Sequence, residues 1–170
     1  MASEDRHLLT LTVNGQPVER AVAAHWTLLE FLREGLGLTG TNLACDTGDC
    51  GACTVLMDGE PVTACLMLAL DAEGRDVMTI EGLARGDELH PVQRGFLLEG
   101  GAQCGFCTPG MIVAAVGLLR ANPDPTEAEI RAGLEGNLCR CTGYTKIIRA
   151  VQTAARLAAA SAAQPPEGRR

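Results

Sequence analysis

The sequence predicts an α+β protein whose first half is built mainly from strands and whose second half is helical. Two tight-turn pairs, Asn14-Gly15 and Asp58-Gly59, lie between short β-rich runs in the first half, which predicts two hairpins. One capping box and several glycine or proline breakers divide the second half into four helical stretches. The 170 residues are 46% apolar but only 3% aromatic, so we expect two thin cores, which in small domains usually need a metal or another staple.

The first half is predicted to hold five strands and one helix. The strands are expected at residues 8–13, 17–22, 53–57, 60–65 and 77–80. Thr27 and Glu30 form a capping box that begins the helix, and Gly35 and Gly37 end it. A loop rich in glycine and threonine follows over residues 39–53. The order strand–strand–helix–strand suggests a β-grasp-like domain.

The second half is predicted to form a four-helix bundle. Its helices are expected at residues 91–99, 109–119, 127–134 and 144–160. Pro91 suits the first position of the first of these helices, and Thr126 with Glu129 forms a capping box before the third. The domains are expected over residues 7–83 and 84–162, with a disordered tail over residues 163–170.

The charge and the composition exclude several classes of protein. The formal net charge is −7 and no lysine or arginine cluster stands out, which disfavours nucleic-acid binding because phosphate contact needs a concentrated basic surface. No secretory signal is apparent, and no apolar run has the length of a membrane span. We therefore expect a cytoplasmic protein without a transmembrane segment, in which eight cysteines indicate metal binding rather than disulfides.

The first four cysteines have the spacing of a plant-type [2Fe–2S] site. The set consists of Cys45, Cys50, Cys53 and Cys65. Its pattern, C-x4-C-x2-C-x11-C, contains the C-x4-C-x2-C run that is typical of this cluster. Gly48 and Gly51 permit the unusual backbone angles by which a loop wraps closely around a cluster. A structural zinc site prefers C-x2-C pairs and fits the x4 spacing poorly.

The last four cysteines form a second set. They are Cys104, Cys107, Cys139 and Cys141, spaced C-x2-C-x31-C-x-C. Both pairs precede predicted helices, whose free N–H groups and positive dipole end stabilise thiolates. By spacing alone this set could hold either an iron–sulfur cluster or zinc, since four-cysteine zinc sites also use C-x2-C pairs.

Four segments around these cysteines resemble the small iron–sulfur subunit of the xanthine dehydrogenase and aldehyde oxidoreductase family, the molybdenum hydroxylases. They are residues 37–41 (GLTGT), 45–55 (CDTGDCGACTV), 103–110 (QCGFCTPG) and 136–144 (GNLCRCTGY). The resemblance covers roughly residues 8–157 and implies a second [2Fe–2S] cluster, rather than zinc, on the last four cysteines. One departure is Asp46, where many relatives have glycine, and an extra carboxylate there should slightly disfavour reduction of the first cluster.

The resemblance also implies a fold and partners. It implies an N-terminal plant-type ferredoxin domain and a C-terminal four-helix domain, whose more buried cluster lies beside the molybdopterin cofactor of a large subunit. A medium subunit is implied to hold FAD, and the heterotrimers to pair. Electrons would run from molybdenum through the C-terminal and then the N-terminal cluster to FAD or another acceptor. Gln103 and Cys141 are implied to contact the pterin, Cys141 while also binding its cluster.

No group of residues in this chain suggests catalysis of its own, so the sequence predicts the non-catalytic electron-transfer subunit of an oxidoreductase complex. A free-standing two-cluster electron carrier and a zinc-binding interaction module remain as alternatives. The sequence of this chain does not identify the substrate of the complex. Residues 38–41 and 141–148 nevertheless look most similar to the same segments of enzymes that act on aromatic compounds, including 4-hydroxybenzoyl-CoA reductase. Tyr144 is expected at an interface or in the core, and His90 at the surface or as a helix cap.

Overall fold

Five strands form one mixed sheet in the first half of the chain. The computed structural model describes residues 6–163, with side chains described as far as residue 161. The strands are β1 (Arg6–Val13), β2 (Gln16–Ala23), β3 (Thr54–Met57), β4 (Glu60–Thr63) and β5 (Asp76–Met78). Their order across the sheet is β2-β1-β5-β3-β4, in which β1 and β5 are parallel and the other neighbours are antiparallel. The last strand in sequence therefore lies at the centre of the sheet.

Both predicted hairpins are confirmed. The turn between β1 and β2 places Asn14 at φ 53° and Gly15 at φ 76°, and the turn between β3 and β4 places Asp58 at φ 51° and Gly59 at φ 92°. Two successive positive φ angles are what a type I′ turn requires, and its twist matches that of the paired strands.

The predicted first helix is short and irregular. Helix α1 covers Leu28–Glu30 and passes directly into a π-helical turn, Phe31–Gly35. Its capping box is confirmed, because the Thr27 hydroxyl accepts the Glu30 N–H at 3.1 Å and the Glu30 carboxylate accepts the Thr27 N–H at 2.7 Å. The buried side chains of this segment pack with the inner faces of β1 and β3 in the first of two cores.

The predicted strand over residues 60–65 ends early. It stops at Thr63, so the expectation that Cys65 lies on a strand is wrong. Beyond Thr63 the chain turns away from β3, and the Ala64 carbonyl accepts the Leu29 N–H at 3.0 Å. The Ala64 N–H still donates to the Cys53 carbonyl at 3.3 Å, but the bond of its carbonyl to α1 ends the pairing there.

The last strand also ends before residue 80. After β5 the chain forms a 3-10 turn, Ile80–Gly82. The Thr79 N–H donates to the Asn14 side-chain oxygen at 2.8 Å, and the Asn14 amide donates to the Thr79 hydroxyl at 3.0 Å. The first hairpin turn therefore holds the chain where it leaves the sheet.

The second half contains the four predicted helices. They are α2 (Pro91–Glu99), α3 (Thr108–Ala121), α4 (Glu127–Gly133) and α5 (Thr145–Ala163). His90 caps α2 by accepting the Val92 N–H on its Nδ1 at 3.2 Å, and the capping box before α4 forms as predicted. Helix α2 packs closely along α5 at Gly95, where a Cβ would collide with the Ala150 carbonyl oxygen. Each of the four helices contributes buried side chains to the second core.

The two halves are packed together. Leu56 of β3 is buried in the same core as Met111 and Ile112 of α3. On the same helix, a Cβ at Gly117 would lie 3.2 Å from the side chains of Leu56 and Pro61. Close contact between α3 and the sheet therefore fixes the position of the helical half relative to the strands.

The predicted α+β class, with a strand-rich half followed by a helical half, is confirmed. Within residues 6–163, no helix combines the length and the apolar character needed to cross a bilayer. Residues 164–170 of the predicted tail lie outside the described residues.

Candidate metal centres

The first cysteine set lies on one loop and on the turn that faces it. Cys45, Cys50 and Cys53 are on the loop between α1 and β3, and Cys65 is in the turn after β4. Cys53 and Cys65 are buried, whereas the other two thiols are half-buried. All four are free thiols, and the sheet supports them because Cys53 directly precedes β3.

The shape of this loop depends on left-handed backbone conformations. Gly48 has φ 81°, and a Cβ there would collide with the Leu66 side chain. Asp46 has φ 57°, a conformation that aspartate tolerates at some cost but glycine adopts freely. The structure therefore gives a physical reason why glycine is favoured at position 46.

The thiols of the first set differ in how readily they ionise. Hydrogen bonding to Thr47, whose N–H lies 3.5 Å from the Cys45 sulfur, lowers the pKa of Cys45 to about 6. Burial, with the Cys65 thiol alongside, raises the pKa of Cys53 to about 12. A coordinated metal ion would replace the proton on such a buried thiol.

The second set is assembled from two separate loops. Cys104 and Cys107 precede α3, with Cys107 at its N-cap, and Cys139 and Cys141 precede α5. The sulfur atoms of Cys104 and Cys141 are 3.6 Å apart, too far for a disulfide bond of about 2.05 Å. Two thiolates on one tetrahedral metal with bonds near 2.3 Å would lie roughly 3.8 Å apart. The structure therefore brings these predicted ligands to a metal-binding separation.

The thiols of the second set also differ in pKa. Burial, with the Cys139 thiol alongside, raises the pKa of Cys107 to about 12. Burial alone would also raise the pKa of Cys139, but hydrogen bonds from the Thr142 hydroxyl and N–H, at 3.1 and 3.4 Å from its sulfur, bring it down to about 7. Each site thus has one thiol whose pKa is raised by burial and one whose pKa is lowered by hydrogen bonds from a nearby threonine.

Contacts among the thiols divide each set into two pairs. The pairs are Cys45 with Cys50, Cys53 with Cys65, Cys104 with Cys141, and Cys107 with Cys139. In the part of the chain that the structure describes, no three Cys, His, Asp or Glu side chains are placed to share a single metal ion. Two pairs of thiolates, one for each iron, are the donor set of a [2Fe–2S] cluster, so the residues present fit that group.

Comparisons with known proteins agree with this chemistry. A family described as "2Fe-2S iron-sulfur cluster binding domain" matches residues 11–79, and one described as "[2Fe-2S] binding domain" matches residues 79–152. A probable xanthine dehydrogenase subunit of Bacillus subtilis (strain 168) is 50% identical over 139 residues, covering 82% of this chain and 80% of that protein. The chain belongs to the xanthine dehydrogenase family of small iron–sulfur subunits.

Other relatives of this small iron–sulfur subunit point the same way. The nicotinate dehydrogenase small FeS subunit of Eubacterium barkeri is 47% identical over 146 residues, covering 86% of this chain and 93% of that protein. The crystal structure of quinoline 2-oxidoreductase from Pseudomonas putida 86 matches with a TM-score of 0.89 and 43% identity, over 96% of this chain and 100% of that chain. The chain is therefore an electron-transfer subunit of an oxidoreductase complex, and its two matched domains support two [2Fe–2S] clusters.

The sequence pattern did not indicate one residue that holds a cysteine of this iron–sulfur subunit. Tyr144 has φ 68°, a rare conformation for an aromatic residue, and its hydroxyl accepts the Cys139 N–H at 2.8 Å. Its own N–H donates to the Thr142 hydroxyl at 3.2 Å. Tyr144 and Thr142 together enclose Cys139, through a left-handed turn that spacing alone could not reveal.

The residues predicted to contact a pterin lie at the exposed edge of the second site. Gln103, Cys104 and Cys141 are all exposed. Two apolar side chains on the same loops, Phe106 and Leu138, are 49% and 54% exposed. In the chain by itself the second set is thus less buried than the first, which reverses the order implied by the family resemblance. A partner that covers this edge would make the second site the more buried of the two.

Proposed function

We propose that this chain relays electrons within a heteromeric molybdenum hydroxylase, from the molybdopterin cofactor of a large subunit through two [2Fe–2S] clusters to FAD or another acceptor. The contact between the two cysteine loops carries the proposal, because the Leu138 N–H donates to the Cys50 carbonyl at 2.9 Å. Leu138 directly precedes Cys139, so this hydrogen bond joins a ligand-bearing segment of one site to that of the other. Each [2Fe–2S] cluster, when bound, accepts and releases one electron.

The eight cysteines are proposed as the cluster ligands. The first set is Cys45, Cys50, Cys53 and Cys65, and the second is Cys104, Cys107, Cys139 and Cys141. Hydrogen bonds to sulfur and exposure to solvent set the potential of such a centre. Thr47 and Thr142 donate to a sulfur in each site, while the exposure of the two sites differs. Because the hydrogen-bond donors are similar but the exposure to solvent differs, we expect the two clusters to have different reduction potentials. Electron transfer in one direction requires such a difference.

The exposed edge of the second site is proposed to face the large subunit. There the Gln103 amide, which carries both donors and an acceptor, would bind the pterin, and Cys141 would contact it while ligating the cluster. The half-exposed Phe106 and Leu138 would supply apolar contact around this polar centre, in keeping with the usual composition of protein interfaces.

The proposed assembly contains a large molybdopterin-binding subunit and a medium FAD-binding subunit, with heterotrimers paired in the cytoplasm. Support comes from the subunit designations of relatives, such as the caffeine dehydrogenase subunit gamma of Pseudomonas sp. (strain CBB1). Within the chain, we propose a ferredoxin-like domain over residues 7–83 and a helical domain over residues 84–162, in which α2 to α5 form a four-helix bundle around the second core.

Purification of the tagged chain from its native host tests the relay. We expect two larger polypeptides to co-purify, with molybdenum, FAD and about four iron atoms per small subunit. Isolation of the chain alone, with both clusters and without larger partners, would support a free-standing carrier instead. A colourless protein that contains zinc would contradict both.

Reduction of the same complex provides an independent check. Two [2Fe–2S] centres in different surroundings should give two distinct EPR signals, together integrating to about two spins per small subunit. A single signal that integrates to one spin per chain would contradict the proposal.

A further inference from the structure

We propose that Asn137 is a positioning residue that locks the first cysteine loop onto the second and thereby fixes the separation of the two clusters, an inference that rests on the proposed electron relay. Asn137 lies two positions before Cys139 in the second site. Its side chain contacts the loop of the first site, 86 positions away in sequence. It therefore connects the two candidate metal centres directly.

The Asn137 amide uses both of its protons across this contact. Its Nδ2 donates to the Gly51 carbonyl at 2.8 Å and to the Thr54 hydroxyl at 3.0 Å. The Thr54 hydroxyl in turn donates to the Gly51 carbonyl at 2.7 Å. Asn137 and Thr54 are each only 6% exposed. A shift of either loop would leave buried polar groups unpaired, which is costly because water cannot replace the lost bonds.

Two glycines bring the backbones into direct contact around the same point. A Cβ on Gly51 would collide with the Gly136 carbonyl oxygen and lie 2.6 Å from the Asn137 Nδ2. A Cβ on Gly110, in the first turn of α3, would collide with the Gly51 carbonyl oxygen. The Gly51 carbonyl is thus enclosed by Asn137, Thr54 and Gly110, and no side chain separates the two loops.

Three hydrogen bonds then join the loop that carries Cys139 to the loop of the first site, while a fourth, from the Asn42 amide to the Phe106 carbonyl at 2.8 Å, joins the first loop to the one that carries Cys104 and Cys107. The Leu138 N–H to Cys50 carbonyl bond is one, and the two from Asn137 are the others. One bond alone would allow the loops to pivot about it, whereas three bonds to Cys50, Gly51 and Thr54 do not. Since these residues lie beside Cys53 and Cys139, they set the positions of both clusters together.

The test is Asn137→Asp in the purified complex. Aspartate has nearly the same shape and keeps an acceptor oxygen, but it cannot donate to Gly51 or Thr54, and its charge would face the Gly51 carbonyl. The readout is the magnetic dipolar splitting between the two reduced clusters in low-temperature EPR, which depends steeply on their separation. We expect loss or clear reduction of the splitting with the iron content unchanged. An unchanged splitting at full iron content would overturn the proposal.

Asn122→Asp is the matched control. Asn122 is half-buried in the turn after α3 and accepts the Asp124 N–H through its Oδ1 at 3.2 Å, a role that aspartate keeps. This variant should leave the splitting unchanged. Thr54→Ser, which keeps the hydroxyl, should do the same, while Thr54→Val should reduce the splitting as Asn137→Asp does.

Two outcomes separate this inference from the relay itself. If the unmodified complex gives only one [2Fe–2S] signal, the proposed relay fails. If it gives two coupled signals that Asn137→Asp leaves unaltered, only the positioning role fails. Should Asn137→Asp not retain its clusters, Thr54→Val carries the test, and an unchanged splitting in that variant at full iron content would overturn the role of Asn137.

Discussion

The two cysteine sites contain the same number of thiols but are built in different ways. In the first, three ligands lie on one loop and the fourth on the neighbouring turn, with Cys53 and Cys65 only 3% and 4% exposed. In the second, the ligands come from loops ahead of α3 and α5, and Cys104 and Cys141 are exposed. The first site is therefore complete within its own half of the chain, whereas the second depends on helix packing and is left open on one side. The open side of the second site suits contact with a partner at Cys104 and Cys141, whereas in the first site only Cys45 and Cys50 are partly exposed.

Loss of one ligand in each site gives the largest expected effect. Cys53→Ser and Cys107→Ser should each remove one cluster, because a hydroxyl is a poor substitute for a buried thiolate, so iron falls from about four to about two atoms per chain. EPR should show that each variant keeps the signal of the other site. Because the second cluster also ties α3 to α5, Cys107→Ser should lower the melting temperature more. If either variant lost both signals, the two sites would not be independent.

Alkylation of the cluster-free chain compares the thiols directly. At pH 7.5 a thiol of pKa about 6, Cys45, is mostly thiolate, as is much of Cys139 at about 7. Cys53 and Cys107, at about 12, remain protonated and should react at least roughly a hundredfold more slowly. At pH 5, Cys45 should slow about tenfold and Cys139 by considerably more. Peptide mass spectrometry measures each rate, and equal rates at pH 7.5 would contradict the assignment.

Gly51→Ala tests the contact between the sites. The residue has φ 67°, and a Cβ would collide with the Gly136 carbonyl oxygen, so we expect a loss of about 3 kcal/mol in the free energy of unfolding. The control is Gly136→Ala on the facing loop, where a Cβ meets no atom within 4 Å. Denaturant unfolding of both variants should show a large loss only for Gly51→Ala.

Tyr144→Phe should affect the second site alone. It removes the hydroxyl that accepts the Cys139 N–H at 2.8 Å and leaves the ring, so the expected loss of stability is about 1 kcal/mol. The EPR signal of the second cluster should shift, since its ligand loop loses a fixed hydrogen bond. The first signal serves as the internal control, and a shift of both signals would show that the effect is not local.

Asp46→Gly is the mildest change and concerns the first site. Glycine relieves the left-handed conformation of Asp46, a gain of about 1 kcal/mol that is partly offset by the greater freedom of glycine in the unfolded chain. Removal of the carboxylate should also raise the potential of the first cluster slightly. Asp49→Gly is the control, because it removes the same charge without relieving a positive φ and should lower stability. Potentiometric titration should leave the second cluster unchanged in both.

The sequence predicts the features that neighbouring residues determine. Asn14-Gly15 and Thr126 with Glu129 fix a turn and a helix start through contacts a few positions apart, and both are found as expected. The spacing of the first cysteines indicates a [2Fe–2S] site because one loop supplies most of it. The C-x2-C and C-x-C pairs of the second set are shared with zinc sites, so their chemistry needed the surrounding family segments.

Contacts between distant segments could not be predicted from the sequence. The turn that carries Cys65 arises because the Ala64 carbonyl bonds to α1, which ends the pairing alongside β3. Nothing in the spacing shows that Asn137 meets Gly51, or that the Tyr144 hydroxyl returns to Cys139. Each of these depends on how the two halves pack or on a left-handed turn, which a pattern of residue types does not encode.

The central place of β5 in the sheet has a consequence for biosynthesis. The ribosome releases β1 to β4 before Asp76–Met78, the strand that must enter between β1 and β3. Until it emerges, the edges of β1 and β3 are open to wrong pairing, a common hazard for incomplete sheets. The contact between Asn137 and Gly51 can form only after the chain has been synthesised as far as Asn137. A nascent chain can thus finish the sheet beneath the first loop before the second loop has been synthesised.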